Sequence, residues 1–293
     1  MTKKIKRLSK RVVIIGGEGF IGSHVASNLK SKKINFLSLG KKEVDLLDCK
    51  AAEKLKEILR NEDVVVFLAA IAPCKNISMF QKNLKMVQSF LEAIDNIKLS
   101  QLVYISSDAV YKDSTDLISE NTCAQPNSLH GAMHLSRELA LQAVDNCTIS
   151  IVRPTLVYGL KDPHNGYGPN SFVRLINSGE IITLHGRGEE LRDHIAVEDV
   201  AEIVTRVILE NVHGVINAVT GRVVSFEKIA KYVAANFNME SKIAYKQRKG
   251  QMPHNGYRAF DNSYLYKVFP DLKLNTWEIG IKKLCSDHKI NNE

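Results

Sequence analysis

What the sequence lacks narrows its class. Aromatic residues make up 7% of its 293 positions, with one tryptophan, and none interleaves with the basic stretch at 3–11. A single-stranded nucleic-acid surface needs that interleaving to stack bases, so this stretch reads as a solvated basic arm. The short apolar run behind it leads into a glycine turn, which speaks for a strand and against an exported segment. The five cysteines (Cys49, Cys74, Cys123, Cys147, Cys285) are scattered, with no Cys-x-x-Cys. Neither a disulfide framework nor a cysteine zinc site is expected, and a reducing cytoplasm is. No apolar run approaches the roughly 20 residues needed to cross a membrane. Repeats and low-complexity segments are missing too. With 44% hydrophobic residues the chain can bury a large core, as one two-lobed unit or two intimate domains. Its formal charge of +8 suits an anionic small-molecule ligand.

What is there is organised around residues 12–24. An apolar, β-branched run, Val12 to Ile15, stops at Gly16-Gly17-Glu18-Gly19-Phe20-Ile21-Gly22, and an amphipathic stretch follows. That order predicts a parallel strand, a tight turn and a helix N-terminus. Gly16 lets the chain turn, Gly19 lets backbone N–H groups approach a pyrophosphate, and Gly22 lets the helix lie close to the sheet. Further along, apolar runs at 35–39, 63–70, 101–107, 148–157 and 215–218 predict strands. Helical patterns lie at 23–32, 50–60, 171–178 and 225–237, with another helix beginning at Asn83.

The spacing Gly-x-x-Gly-x-x-Gly, with Phe20-Ile21 between the last two glycines, resembles the extended short-chain dehydrogenase/reductases, the nucleotide-sugar epimerases, dehydratases and reductases. The resemblance runs along nearly the whole chain. It implies an α/β fold, a Rossmann-type doubly wound parallel sheet with a smaller C-terminal substrate-binding lobe. The dinucleotide domain would span 11–160, with 195–222 returning to it, and the substrate lobe 161–194 and 223–290. The cofactor would be NAD or NADP and the partner a sugar nucleotide, with no nucleic acid and no membrane; relatives that pair through a helix bundle suggest a homodimer.

The resemblance also assigns residues. Gly16, Gly19, Phe20, Ile21 and Gly22 would meet the cofactor. At the end of the second strand, NAD-binding members carry an acid for the adenosine ribose; here the position is Gly40, followed by Lys41 and Lys42. The missing carboxylate and the lysines lean towards NADP, two solvated lysines being the plain alternative. Asp45 and Leu46 would face adenine, Ala69 and Ala70 the passing cofactor, Asn83 and Arg153 the nicotinamide half. Asn83 reads equally well as a helix cap. Ser106-Ser107-Asp108-Ala109-Val110-Tyr111 matches a Ser-Ser-x-x-x-Tyr stretch, aligning Ser107 with the catalytic hydroxyl and putting Asp108 on the substrate side. Asn170 and Phe172 fall where relatives hold the sugar nucleotide. Arg192, in a Gly-x-Gly-x-x-x-Arg-Asp stretch, and Arg258 would grip its diphosphate, a task that suits the guanidinium fork.

The pattern breaks where the family carries Tyr-x-x-x-Lys. Here the sequence is His130-Gly131-Ala132-Met133-His134. Spaced i and i+4, the two imidazoles share one helix face. One reading makes His130 the general base, imidazole titrating near 6.5, with His134 on the cofactor ribose. A second has the chemistry lost and a binding protein left. A third, a metal held by both, lacks an obvious third ligand.

Overall fold

The computed structural model describes residues 10–145 and 147–290. The basic arm expected at 1–10 falls outside them, apart from Lys10.

In chain order the first elements are β1 (Val12–Ile15), α1 (Phe20–Ser31), β2 (Phe36–Leu39), α2 (Ala51–Ile58), β3 (Val64–Phe67) and α3 (Ile77–Ile94). Then come β4 (Gln101–Ile105), α4 (Leu129–Gln142), β5 (Thr148–Pro154), β6 (Leu156–Tyr158), α5 (Pro169–Asn177), β7 (Ile182–His185) and β8 (Leu191–Ala196). They are followed by α6 (Val197–Leu209), β9 (Gly214–Ala218), β10 (Val223–Ser225), α7 (Phe226–Asn236), β11 (Ile243–Lys246) and β12 (Tyr257–Arg258). The last two helices are α8 (Ser263–Val268) and α9 (Trp277–Ile290). The chain divides into two compact units. The first takes the chain up to Lys112, then Cys123–Pro154 and Val200–Ala218; the second takes Asp113–Thr122, Thr155–Asp199 and the chain from Val219. The segment Asp113–Thr122, expected in the cofactor domain, thus counts with the second unit.

The first unit is built on a six-stranded sheet in the order β2-β1-β3-β4-β5-β9, parallel throughout. Val-Val-Ile-Ile and Val-Val-Val-Phe are buried at every position of β1 and β3, as in strands covered on both faces. Val13, Ile15, Phe67 and Tyr104 share a core with Val87 and Phe90 of α3, where Phe67 stacks on Phe90 at 4.9 Å. The strand order reverses at β1, which has β2 on one side and β3 on the other. In open parallel sheets the crevice beyond the carboxyl ends at such a switch point is where ligands bind.

The second unit centres on β8, flanked by antiparallel β10 and by parallel β6 and β12. A separate two-stranded parallel sheet joins β7 to β11. Phe172 and Ile176 of α5, Ile229 and Val233 of α7, and Ile281 and Leu284 of α9 form its core.

Two expectations need correction. The run 148–157 is not one strand: it breaks at Thr155, where Pro154 ends β5 and β6 joins a different sheet. Asn83 does not begin a helix. Asn76 does, its side chain accepting from the Met79 N–H at 2.9 Å, and Asn83 lies inside α3. The polar, basic tail 239–260 contributes β11 and β12.

One glycine fixes where α4 starts. A Cβ on Gly131 would lie 2.0 Å from the Ala109 carbonyl oxygen and 2.8 Å from Pro126 Cβ. The first turn of α4 is therefore pressed onto the 3-10 turn Asp108–Val110 that follows β4. In an exposed helix Gly131→Ala would gain about 1 kcal/mol of helix propensity. Here the clash with backbone decides the sign, and we expect a loss of about 1–3 kcal/mol. Thermal unfolding of Gly131→Ala checks this; an unchanged or higher Tm would contradict the packing described.

Candidate functional site

The glycine turn leaves β1 at Gly16, whose φ of +93° is open to glycine and strained for other residues. A Cβ there would meet the Ala69 nitrogen at 2.7 Å, so the turn and the end of β3 touch backbone to backbone. Gly22 is equally constrained, with the Gly16 oxygen 2.2 Å from its would-be Cβ. Gly19 differs. Its φ is −71°, and a Cβ would make one contact, tight but short of a clash, with the Gly16 oxygen at 3.2 Å. Gly19 is the N-cap of α1, no side chain caps that end, and no acid sits in its first turn. The N–H groups of Phe20, Ile21 and Gly22 thus form an uncapped, positive helix end beside a position bare of side chain. The residues present fit a dinucleotide pyrophosphate.

Other cofactor candidates are less free. Leu46 is buried in the core. Asp45 accepts from the Leu47 N–H and pairs with Lys41 at 3.4 Å. Ala69 and Ala70 stand at the tip of β3, where the Ala69 carbonyl accepts from Arg137 at 2.6 Å. Arg137 is wholly buried; it also donates to Asn83 Oδ1 at 3.1 Å and lies over the rings of Phe67 and Tyr104. Asn83 is fully buried, its amide group bonded to Ile71 N and O and to Met79 O. It holds the β3–α3 loop in place and offers nothing to a ligand. Arg153 likewise forms a buried pair with Glu138, at 2.9 and 2.5 Å, and Ser106 donates to the same carboxylate. Its guanidinium stacks over Tyr111. Arg153, expected beside the nicotinamide, is held by this ion pair, which ties α4 to β5 and β4.

The hydroxyl and the histidines lie on two elements in contact, the 3-10 turn after β4 and the first turns of α4. Ser107 caps the 3-10 turn, accepting from the Ala109 N–H at 3.2 Å, and its neighbour Asp108 is partly exposed. His130 and His134 pack edge to face with ring centres 4.8 Å apart. Their roles diverge. His134 is buried, with Nδ1 2.8 Å from the Tyr104 hydroxyl. Burial, then the nearby His130 and Arg137, drive its pKa well below 6.5, so it stays neutral. A neutral imidazole supplies no fixed positive charge, and Nδ1 is taken by Tyr104. Burial also pushes the Tyr104 hydroxyl up to about 12. His130 is less enclosed, and its Nδ1 receives the Cys74 backbone N–H at 3.3 Å. Among the described residues no group of three or more His, Cys, Asp or Glu could hold a metal.

In the second unit, the pairing of β8 with β12 sets Arg192 directly opposite Arg258. Arg192 donates to Glu190 at 3.1 Å, and Arg258 to Asp113 at 3.1 Å. Asp113 also bonds His254, which lies 3.3 Å from Arg258. Arg248 donates to the His185 carbonyl and lies 3.8 Å from Glu190. Arg258 is 1% exposed, so a ligand would reach it only by displacing its neighbours. The Nε atoms of Arg192 and Arg248 are buried without a hydrogen-bond partner among the described residues. Asn170 is committed elsewhere: it accepts from Gly159 N–H and donates to Asp162 at 2.8 Å, closing the loop between β6 and α5. Phe172 is core. Neither the sequence pattern nor spacing pointed to Arg248, Asp113, Tyr104 or Cys74. Each gains its part through contacts distant in sequence.

A sequence profile described as the NAD dependent epimerase/dehydratase family matches residues 12–219. The chain belongs to this family. Among relatives, a dTDP-D-glucose 4,6-dehydratase of Dictyostelium discoideum is 26% identical, over 68% of this chain and 56% of that protein. The chain thus spans little more than half of that relative. A UDP-N-acetyl-alpha-D-glucosaminuronate decarboxylase of Bacillus cytotoxicus is 25% identical over 94% of this chain and 97% of its own length. The crystal structure of a Thermus thermophilus UDP-glucose 4-epimerase complexed with NAD shares the fold, with a TM-score of 0.82 and 24% identity. That likeness covers 96% of this chain and 99% of the other. Membership of the epimerase/dehydratase family accounts for the switch-point crevice and the uncapped end of α1. It does not account for the two histidines.

The neighbouring strand residue His194 yields a pH prediction. It is buried against Phe226, and burial, with Arg192 nearby, lowers its pKa to about 3. A folded-state value below the unfolded 6.5 means stability is lost as pH falls through that window. From about pH 7 to about pH 5 the parent should lose about 2 kcal/mol more than His194→Gln in denaturant unfolding. Parallel pH profiles would contradict a neutral, buried His194.

Proposed function

We propose that this chain is an NAD(P)-dependent enzyme that moves hydride at a carbon of a nucleotide sugar, as an epimerase, dehydratase or reductase. The observation that carries the cofactor half is Gly19. Packing and backbone conformation demand the glycines at 16 and 22, whereas the bare position at 19 is explained by a ligand lying against the α1 N-terminus. The sugar-nucleotide half is supported by Arg192 and Arg248, whose buried Nε donors await an anionic partner. In this reading the second unit binds the sugar nucleotide, and the protein works as a cytoplasmic homodimer. Five free cysteines suit that compartment.

Bound NAD(P) would supply the hydride acceptor and donor. The proton is left to Ser107 and His130. Because the Cys74 N–H points at Nδ1, the neutral ring of His130 carries its proton on Nε2. In that form it donates to a sugar oxygen. To accept a hydroxyl proton, the ring must move its own proton to Nδ1 and release Cys74. That bond is long, and giving it up costs only about 0.5–1.5 kcal/mol. Ser107, at the turn pressed against the same helix, can relay the proton or hold the oxygen.

A second reading, a binding protein without turnover, is favoured by one observation: buried, neutral His134 brings no cation to the site. Reduced-nicotinamide absorbance, followed while a panel of sugar nucleotides is added, separates the two. The enzyme reading expects a change with one substrate, and a fall of about 10²–10⁴-fold in turnover for His130→Ala. Binding without any absorbance change supports the second reading. A His130→Ala enzyme as active as the parent would overturn the proton role of His130.

A further inference from the structure

The end of β2 lacks the acid that NAD-binding sheets carry there, and the residue in its place is Gly40. The space is not empty. A Cβ built on Gly40 would lie 2.3 Å from the carboxyl carbon of Glu18 and 2.3 Å from its Oε2. The carboxylate of Glu18, reaching across from the glycine turn, fills the volume that a side chain at position 40 would take. Glycine at 40 and glutamate at 18 are therefore one device: the first makes room for the second.

The surrounding charges point the same way. Glu43 caps the Gly40 N–H at 2.7 Å, and Asp45 is engaged with Leu47 and Lys41. Lys41 Nζ, the amine expected to meet a 2′-phosphate, is the one paired with Asp45 at 3.4 Å. Glu18 is exposed and makes no hydrogen bond or ion pair to the described residues, so its oxygens remain available as acceptors. A 2′-phosphate, carrying about −1.5 to −2 charges, would enter beside three carboxylates and two lysines. A ribose diol would instead find an acceptor that needs a hydroxyl proton.

We propose that Glu18 reads the adenosine ribose 2′-hydroxyl and makes the chain selective for NAD over NADP. The proposal reverses the leaning to NADP drawn from Lys41 and Lys42, and it rests on the reading of the α1 end as a dinucleotide site. Titration of the full chain with NADH and with NADPH, followed by nicotinamide fluorescence, tests it on the parent, Glu18→Gln and Glu18→Ala. The parent should bind NADH at least about tenfold tighter than NADPH, and both variants should shrink that ratio about tenfold. A parent that binds NADPH as tightly as NADH, or a ratio unchanged in Glu18→Gln, would overturn the role of Glu18 and leave the dinucleotide site standing. Failure of the folded parent to bind either would overturn both. Since Glu18 is exposed, both variants should keep the parent's far-UV circular dichroism, which confirms that the comparison is between folded proteins.

Discussion

The contact on which most of the first unit depends is the backbone approach of Gly16 to Ala69. It joins the end of β1 to the end of β3 at a distance that no side chain could occupy. The Gly16 carbonyl then sits under Gly22, which seats α1 on the sheet, and under Gly19, which leaves the helix end open. Move Gly16 outward by the width of a methyl group, and the uncapped N–H groups no longer lie over the switch point. From the opposite side, Ala69 is secured by Arg137 through its carbonyl. A turn of glycines and a buried cation thus hold the two ends of one crevice.

The buried charges of α4 share that purpose. Arg137 has no carboxylate partner among the described residues; two oxygen acceptors and two aromatic rings take its place, and burial lowers its pKa. Glu138, one residue on, faces Arg153 and Ser106 instead. Removing one partner of such a buried pair costs about 3–5 kcal/mol, so α4 has little freedom to shift. Its first turn, pressed by Gly131 onto the turn after β4, is accordingly a rigid mount for His130.

Much of this was legible in the sequence because it is written in local pattern. The β-branched runs of β1 and β3, the glycine spacing and the Ser107 stretch each declare themselves within a few residues. What was not legible depends on contacts far apart in the chain. Asn83, Arg153 and Asn170 have residue types suited to binding, and each is also bonded to partners that only the fold brings near. His134 aligns by spacing with a ribose-binding lysine, and its bond to Tyr104, thirty positions earlier, could not be read from that spacing. Glu18 was passed over for the opposite reason. Its position inside the glycine turn carries no expected role, and its meaning comes from Gly40 across the sheet. The strand break at Thr155 follows the same rule: the composition of 148–157 is continuous, and only pairing with β8 separates its last residues.

The central claim is that the open end of α1, beside Gly19, is where a dinucleotide's pyrophosphate lies. A crystal structure of the chain grown with NADH tests it most directly. The account predicts pyrophosphate density against the N–H groups of Phe20 and Ile21, with the adenosine end towards Gly40. Ordered NADH bound anywhere else, with that helix end left to water, would contradict it.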